Sequence, residues 1–240
     1  KVVFKADLTE FLATVQRETG LATNGIQDIA TDSQGYHYVP TSFGAKALAR
    51  ITADGEVRTW YATNKIGTLP PYFPTTYTGL IFHTPSNKLI VTDGPAGTFV
   101  TFDTKAAVGI PQNVTITRLP SDYTKIACDG LLNPSRYPNR DVLLCSENFL
   151  GSTGSITVFT STDDWVSAQY AGRVPNNDPR AARSFPSATV EIAQSLYISL
   201  FFYADTNDTS IGGNRSSFPF FDITSNVDAL VTPLGVKISS

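Results

Sequence analysis

The chain has 240 residues, of which 41% are hydrophobic and 16% are charged, and its formal net charge is −3. A chain of this length and apolar content can bury a large core, and its small negative charge excludes the basic surface with which proteins bind nucleic acids or anionic membranes. No run of apolar residues approaches the roughly 20 that span a bilayer, so we expect no nucleic-acid partner and no membrane span.

The first predicted elements are a strand and a short helix. Residues 1–8 match a later strand-like segment, "FPFFDITS", and are therefore predicted to form a strand. In the helix that follows, Asp7 and Glu10 form a capping box and Gly20 can end the last turn. The apolar residues of this helix share one face: Leu8, Phe11, Leu12 and Val15.

From residue 24 onwards, short β-branched and aromatic runs alternate with Gly, Pro, Asn and Asp, which is typical of strands and turns. An apolar pair recurs at spacings of 52, 53 and 54 residues in "YHYVPTSF", "KLIVTDGP", "DVLLCSEN" and "SLYISLFF". A strand-like segment precedes each pair, and others follow it. Four strands in each such repeat is the pattern of a β-propeller blade.

We therefore predict an all-β fold, a single β-propeller domain of four-stranded antiparallel blades over residues 1–240, with one short N-terminal helix. The blades are predicted at approximately residues 24–76, 77–124, 125–183 and 184–240, and residues 1–8 belong to a further blade. Five blades result if the C-terminal stretch "VDALVTPLGVKISS" closes the ring, and six if residues precede Lys1. The lack of Met and the abrupt start agree with a processed precursor or an incomplete segment.

Long loops are predicted at one end of the blades, between second and third strands and between blades, where functional sites usually occur. These loops are rich in aromatic and poor in charged residues, so they suit a small, largely apolar metabolite as the partner. Their candidate ligand contacts, which alternatively pack the loops down, are Tyr72, Phe73, Tyr77, Tyr123, Phe149, Arg183 and Phe185.

Cys128 lies at the entry of a predicted first strand and Cys145 at the exit of the adjacent second strand, so both reach the same end of the sheet. A disulfide between them is sterically reasonable, and two free buried thiols are the alternative. Three glycosylation sequons, at Asn113, Asn207 and Asn214, favour the secretory route together with the low charge. We expect a secreted glycoprotein.

Polar residues at the entries of the first strands are expected to meet at a central channel. Asn24 and Asp129, each followed by Gly, resemble entries of gluconolactonase and regucalcin-like propellers, in which such residues ligate a divalent cation. The resemblance implies a metal site at these two positions, and oxygen ligands suit Ca²⁺ or Mg²⁺. Those enzymes also use a Glu where this sequence has Thr78 and Ser187. The alternative that Asn24 and Asp129 only satisfy backbone donors therefore stays open.

A longer stretch, "KADLTEFLATVQRETGLATNGIQDIATDSQGYHYV" followed by "ITADGEVRTWY", resembles a family of secreted propellers of filamentous fungi. This family includes the propeller protein encoded in trichothecene toxin clusters. It is similar to six-bladed propellers, which favours six blades here. Some relatives in fungal natural-product pathways act as cofactor-free cyclases, including catalysts of hetero-Diels–Alder additions. The resemblance implies a role in secondary metabolism without a cofactor.

A ring closure of this kind needs a pocket that holds the reacting ends together and one or two donors that polarise the substrate. Asp129 is the candidate acid or base, and Tyr77 or Tyr123 is the candidate donor. Asn24 and Gln27 are candidate polar contacts.

Other catalytic arrangements are thinly represented in the sequence. His37 and His83 lie within predicted strands rather than at their entries, and the motifs of serine hydrolases, zinc proteases and nucleotide-binding loops do not occur. Whether the protein is an enzyme stays open. The alternatives to a cyclase are a divalent-metal-dependent, lactonase-like hydrolase and a non-catalytic binding or host-interaction protein.

Overall fold

The structure is a computed structural model, and it describes residues 4–67, 75–123, 125–148, 154–182, 184–202 and 216–239. Antiparallel strands in four sheets account for most of the regular structure of these residues. The chain divides into two compact units. The first unit comprises Lys1–Thr115 and Asp122–Ala127, and the second comprises Ile116–Ser121 and Cys128–Ser240. No helix within the described ranges is long and apolar enough to cross a membrane.

The first unit begins with helix α1 (Thr9–Thr19), which packs Phe11 and Val15 into the core. The helix starts one residue later than the predicted capping box requires, and the Asp7 carboxylate accepts a hydrogen bond from the Thr9 N–H at 2.9 Å. It ends at Gly20, whose φ of 73° is left-handed, as predicted for a glycine at this position. Residues 4–8, expected to continue a strand, have no strand assignment.

Two four-stranded sheets follow in the first unit, and each has its strands in chain order. The first sheet consists of β1 (Ala30–Thr31), β2 (His37–Pro40), β3 (Lys46–Ile51) and β4 (Val57–Thr63). The second consists of β5 (Tyr77–His83), β6 (Lys88–Asp93), β7 (Thr98–Asp103) and β8 (Gln112–Asn113). Both faces of β6 are covered, so its apolar run is continuous rather than alternating.

The second unit contains a five-stranded and a three-stranded sheet. The larger has the order β10-β11-β12-β13-β9 and consists of β9 (Thr115–Thr117), β10 (Gly130–Leu132), β11 (Val142–Glu147), β12 (Ser155–Thr160) and β13 (Ser167–Pro175). The smaller consists of β14 (Phe185–Ile192), β15 (Ser195–Phe201) and β16 (Phe221–Asp222). The polar strand β9, which the sequence places in the second blade, thus pairs at the outer edge of the third sheet.

The C-terminal stretch that was considered as a closing strand instead forms helix α2 (Thr224–Val231). The Asp222 carboxylate accepts hydrogen bonds from the Thr224 N–H and hydroxyl at 2.8 and 2.6 Å, which favours a helical start. Val227 and Val231, four residues apart, are both fully buried. This spacing places them on one helical face.

Candidate functional site

Asp129 lies immediately before β10, at the end of the third sheet where β11 ends at Glu147. Its N–H donates to the Ser146 carbonyl at 2.8 Å. The neighbouring Cys128 forms a disulfide with Cys145, with a Cα–Cα distance of 5.1 Å, which confirms the predicted bridge. One disulfide and one hydrogen bond to β11 therefore fix the backbone at Asp129.

The glycine after Asp129 permits close packing between two sheets of the second unit. A Cβ at Gly130 would lie 2.8 Å from the Ser187 carbonyl oxygen, which is closer than packed atoms tolerate. The position after Asp129 therefore requires a glycine for steric reasons. It brings the carboxyl group to the start of the first strand while the backbone approaches β14.

The Asp129 carboxyl group is half-buried, and no Lys, Arg or His side chain of the described ranges forms an ion pair with it. Loss of hydration raises the pKa of Asp129, while the hydrogen bond from the Asn148 amide partly lowers it. The amide oxygen of Asn148 is itself buried and has no hydrogen-bond partner within the described ranges. The sequence did not identify Asn148, since it follows an apolar strand and carries no motif.

A layer of buried polar side chains accompanies Asp129 in the second unit. The Thr157 hydroxyl donates to the Glu147 carboxylate, and the hydroxyl groups of Ser146 and Thr189 lie 3.3 Å apart. All four side chains are buried. Because buried polar groups cost stability unless they are hydrogen-bonded, this layer restricts the positions that the strand ends can adopt.

In the first unit, the predicted polar entry at Asn24 has a structural role. The backbone groups of Asn24 and Phe43 exchange two hydrogen bonds of 3.0 Å. Gly25 has a φ of 74°, and a Cβ there would lie 2.3 Å from the Phe43 ring. The strand β1 starts only at Ala30, so residues 24–29 precede it as irregular chain. The side chains of Asn24 and Gln27 are exposed.

Tyr77, a predicted donor, is 1% exposed and belongs to a buried cluster at one end of the first two sheets. Its ring stacks on Tyr61 with centroids 6.2 Å apart. The Lys46 ammonium lies 5.8 Å from the Tyr77 ring and binds the Asp93 carboxylate at 2.7 Å. Burial raises the pKa of Tyr77 well above 10, and burial likewise raises the pKa of Tyr61. Both phenols therefore stay protonated, and Tyr61 is the more accessible of the two.

Comparison with known proteins identifies relatives among fungal proteins. No family model matches the chain. The chain is 30% identical over 211 residues to trichothecene biosynthesis protein 14 of Trichoderma arundinaceum, covering 86% of this chain and 54% of that protein. It is 29% identical over 212 residues to core trichothecene cluster protein 14 of Fusarium sporotrichioides, covering 87% and 53%.

The chain is a homologue of these trichothecene-cluster proteins. This confirms the resemblance predicted from the sequence, and the chain spans about half the length of the relatives it matches. The crystal structure of the major allergen Mala s 1 of Malassezia sympodialis superposes with a TM-score of 0.68 at 22% identity, covering 90% of this chain and 60% of that chain. This likeness shows the β-propeller fold. The number of blades stays a prediction.

The other predicted site residues of this trichothecene-cluster homologue are distributed as follows. Tyr123 is buried, with 6% of its surface exposed, rather than on an open rim. Phe185 is half-buried as the first residue of β14. Asn113 is exposed in β8. The remaining predicted positions lie outside the described residues: Tyr72, Phe73, Phe149, Arg183, Asn207 and Asn214.

The two histidines of the homologue have structural partners. His37 Nδ1 lies 2.8 Å from the Thr31 hydroxyl, and His83 Nδ1 lies 2.6 Å from the Ser86 hydroxyl. His83 is buried at the end of β5. His83 is the last residue of β5, as expected from its position beyond the strand entry, whereas His37 is the first residue of β2 rather than an interior one.

The described residues supply few of the ligands that a Ca²⁺ or Mg²⁺ site needs. Among them, no group of three or more His, Cys, Asp and Glu side chains could hold a metal ion. Asp129 has Asn148 as its side-chain partner, whereas Ca²⁺ takes six to eight oxygen ligands. Asn24 and Asp129 belong to different units, so a metal site shared between them stays a prediction.

Proposed function

We propose that this trichothecene-cluster homologue binds a small, largely apolar metabolite beside Asp129 and catalyses its ring closure without a cofactor. The observation that carries the proposal is the half-buried Asp129 carboxyl group, which no cationic side chain of the described ranges neutralises. The name of one relative, trichothecene biosynthesis protein 14, supports a role in secondary metabolism.

A carboxyl group whose pKa is raised by burial retains its proton closer to neutral pH and can act as a general acid. In the proposed step the O–H bond of Asp129 breaks and its proton passes to a substrate oxygen. Electrons of a substrate double bond then form the new ring bond at the activated carbon. A proton lost from the cyclised cation returns to the carboxylate. The reaction is an isomerisation, so no oxidant or co-reactant is consumed.

The Asn148 amide has a defined part in this cycle. It donates a hydrogen bond to the Asp129 carboxyl group, and such a bond stabilises the carboxylate that forms after proton transfer. The rigid backbone at Cys128 and Gly130 holds the acid in place, which spares the substrate complex part of the entropic cost of alignment.

The proposal is tested with a metabolite extract of a trichothecene-producing fungus, incubated with the protein and analysed by chromatography and mass spectrometry. We expect a product that has the mass of its precursor but a different retention time. Asp129→Asn should lower the rate at least about 100-fold, the usual minimum for losing a general acid, while the metabolite is still retained. Asp122→Asn, at an exposed carboxyl group, is the matched control. Full turnover by Asp129→Asn contradicts the proposal, as does a product that forms only with a divalent metal.

A second candidate function is binding without catalysis, favoured by two exposed aromatic residues of the second unit. Phe218 and Phe220 are 49% and 52% exposed, and exposed apolar patches mark interaction sites. In the same experiment this function predicts a metabolite that is retained but not converted. Phe218→Ser together with Phe220→Ser then abolishes retention, whereas Asp129→Asn does not.

We propose further that the protein is secreted. The disulfide between Cys128 and Cys145 supports this, because disulfides persist in oxidising compartments. Asn113 is exposed in a polar edge strand, where a glycan can be attached. Peptide mass spectrometry of the protein from a fungal culture medium should find a glycan at Asn113. Protein found only inside the cells, with Asn113 unmodified, contradicts secretion.

A further inference from the structure

A cavity of about 330 Å³ lies in the first unit, on one face of the first sheet. Its wall includes the side chains of Tyr36, Arg50, Arg58, Thr59 and Trp60. Trp60 is 3% exposed and Tyr36 is half-buried. The wall therefore combines two aromatic rings with two guanidinium groups, and it contains no carboxylate.

Arg50 has no acidic partner in this cavity. Its guanidinium carbon lies 3.8 Å from the centre of the Tyr36 ring, and Nη1 donates to the Ala106 carbonyl at 3.3 Å. No carboxylate of the described ranges lies within 4.0 Å of the group. Its Nε is buried and has no hydrogen-bond partner there. A partly buried arginine that stacks on an aromatic ring but lacks a counter-ion is unusual, because buried charges are normally paired.

Asp32, a buried acid of the first sheet, is not the counter-ion of Arg50. The Asp32 carboxylate accepts hydrogen bonds from the N–H groups of Gln34 and Tyr36 at 2.9 and 3.0 Å. Its other oxygen accepts from the Tyr38 hydroxyl at 3.1 Å. These three donors hold Asp32 in the turn between β1 and β2.

A second observation, the register of the sheet, also concerns the positive charge of Arg50. Arg50 on β3 stands directly opposite Arg58 on β4, and like charges in this arrangement destabilise a strand pair. Glu56 neutralises Arg58 through an exposed ion pair at 2.9 Å. Of the two guanidinium groups in the wall, that of Arg58 is therefore paired with a carboxylate and that of Arg50 is not.

We propose that this cavity binds a small planar monocarboxylate, such as an aromatic or conjugated organic acid. The guanidinium group of Arg50 supplies the fork that matches a carboxylate, and Tyr36 and Trp60 supply flat walls for the conjugated body. A single carboxylate matches the one guanidinium group of the wall that lacks a carboxylate partner. The chain beyond the wall residue Ala107 continues with Val108 and Ile110, exposed at 63% and 69%, so the neighbourhood is apolar. The site is independent of Asp129, which belongs to the second unit.

Benzoate is the probe for this proposal, and Trp60 is the reporter. The variant Trp165→Phe serves as the parent, because Trp60 and Trp165 are the two tryptophans of the chain. We expect a saturable change of Trp60 fluorescence with benzoate and none with benzamide, a neutral analogue of the same shape. Binding should weaken as pH falls through the pKa of the benzoate carboxyl group.

Variants locate the site. Arg50→Gln should weaken benzoate binding at least 10-fold, and Arg50→Lys should weaken it less, because lysine keeps the charge but loses the fork. Arg17→Gln, at an exposed arginine of α1, should leave the affinity unchanged. Near-ultraviolet circular dichroism checks that each variant is folded, and if Arg50→Gln does not fold, the Arg50→Lys result decides. The proposal is overturned if Arg50→Gln, or in its place Arg50→Lys, binds like the parent. It is equally overturned if benzamide matches benzoate, or if inorganic phosphate binds and benzoate does not.

Discussion

Gly25 and Gly20 show how the cost of one side chain depends on its surroundings. Both residues are left-handed, with φ of 74° and 73°. A Cβ at Gly20 would meet no atom within 4 Å, whereas one at Gly25 would lie 2.3 Å from the Phe43 ring. The backbone strain is therefore common to both positions, and the steric overlap belongs to Gly25 alone.

Replacement of these glycines separates the two costs. Gly20→Ala should lower the free energy of unfolding by about 1–2 kcal/mol, the cost of a left-handed residue with a side chain. Gly25→Ala should cost about 1–3 kcal/mol more, because the added methyl group overpacks the site. Denaturant unfolding curves measure both values. Equal losses for the two variants would show that Phe43 moves aside freely.

Asp129 should reveal its raised pKa in the pH dependence of stability. A carboxyl group whose pKa is higher in the folded than in the unfolded state binds more protons when folded, so stability falls as pH rises through this interval. The free energy of unfolding of the wild-type protein, measured relative to Asp129→Asn, should fall as pH rises from 3.8 to the raised pKa of Asp129. Above that pKa the difference should stay constant. Asp222→Asn should show the opposite trend, because hydrogen bonds from Thr224 lower the pKa of Asp222.

The ion pair of Lys46 and Asp93 should behave differently from that of Arg58 and Glu56. The first pair has side-chain exposures of 9% and 6%, and the second has 70% and 57%. Lys46→Met should destabilise the protein by about 3–5 kcal/mol, because it leaves a buried carboxylate without its partner. Adding Asp93→Leu should restore much of this loss. Arg58→Ala should cost less than about 1 kcal/mol. A double variant no more stable than Lys46→Met would contradict the role of pairing.

At the scale of elements, the disulfide and the strand ends of the third sheet act together. Cys128 precedes β10 and Cys145 lies within β11, so the bridge reinforces the antiparallel pair next to Asp129. The loop that it closes is short, since the cysteines are 17 residues apart.

Removing this bridge should mainly affect stability. The double variant Cys128→Ala, Cys145→Ala should lose about 3 kcal/mol, the loop-closure contribution for a loop of this size. Thermal unfolding of the oxidised and reduced wild-type protein provides the control, because it changes the bridge without changing side-chain volume elsewhere. An unchanged midpoint after verified reduction argues against the stabilising role.

The sequence identified elements where local patterns and tertiary packing agree. The recurring apolar pairs were found because they are buried in β2, β6 and β11, and because Ile198 is buried in β15 although Tyr197 is half-buried. Helix α2 was missed, because a short apolar run does not distinguish a strand from a helix until the hydrogen bonds between Asp222 and Thr224 are known. The strand β9 was missed as an edge of the third sheet, because its three residues, Thr115 to Thr117, carry no signal of their partner.

The candidate site was predictable to a similar extent. Asp129 and the disulfide follow from residue type and strand position. Asn148 and Tyr61 could not be found in this way, because their roles depend on contacts with residues distant in sequence. Tyr77 was expected at an open mouth, but its ring is buried against Tyr61. A loop residue beside a strand entry can point into the core or into solvent, and the sequence pattern does not distinguish these outcomes.

At the scale of the whole molecule, the fold of this trichothecene-cluster homologue is that of a propeller, and the described residues contain no group of three or more His, Cys, Asp and Glu side chains that could hold a divalent cation. Addition of EDTA should therefore leave the melting temperature unchanged, and millimolar Ca²⁺ should not raise it, since a ligand that binds only the folded state would stabilise it. A calcium-dependent rise of several degrees would revive the lactonase-like alternative.

The pairing of β9 with β13 has a consequence for how such a chain can evolve. The hydrogen-bonded sheet and the repeat of 52 to 54 residues are out of phase by one strand, because β9 precedes its own sheet in the chain. A gene segment that encodes only one repeat therefore lacks an edge strand of the corresponding sheet. Duplication or loss of a complete sheet here must include the upstream connection, so the boundary of an inherited copy is expected at residue 114, between β8 and β9, rather than at residue 125.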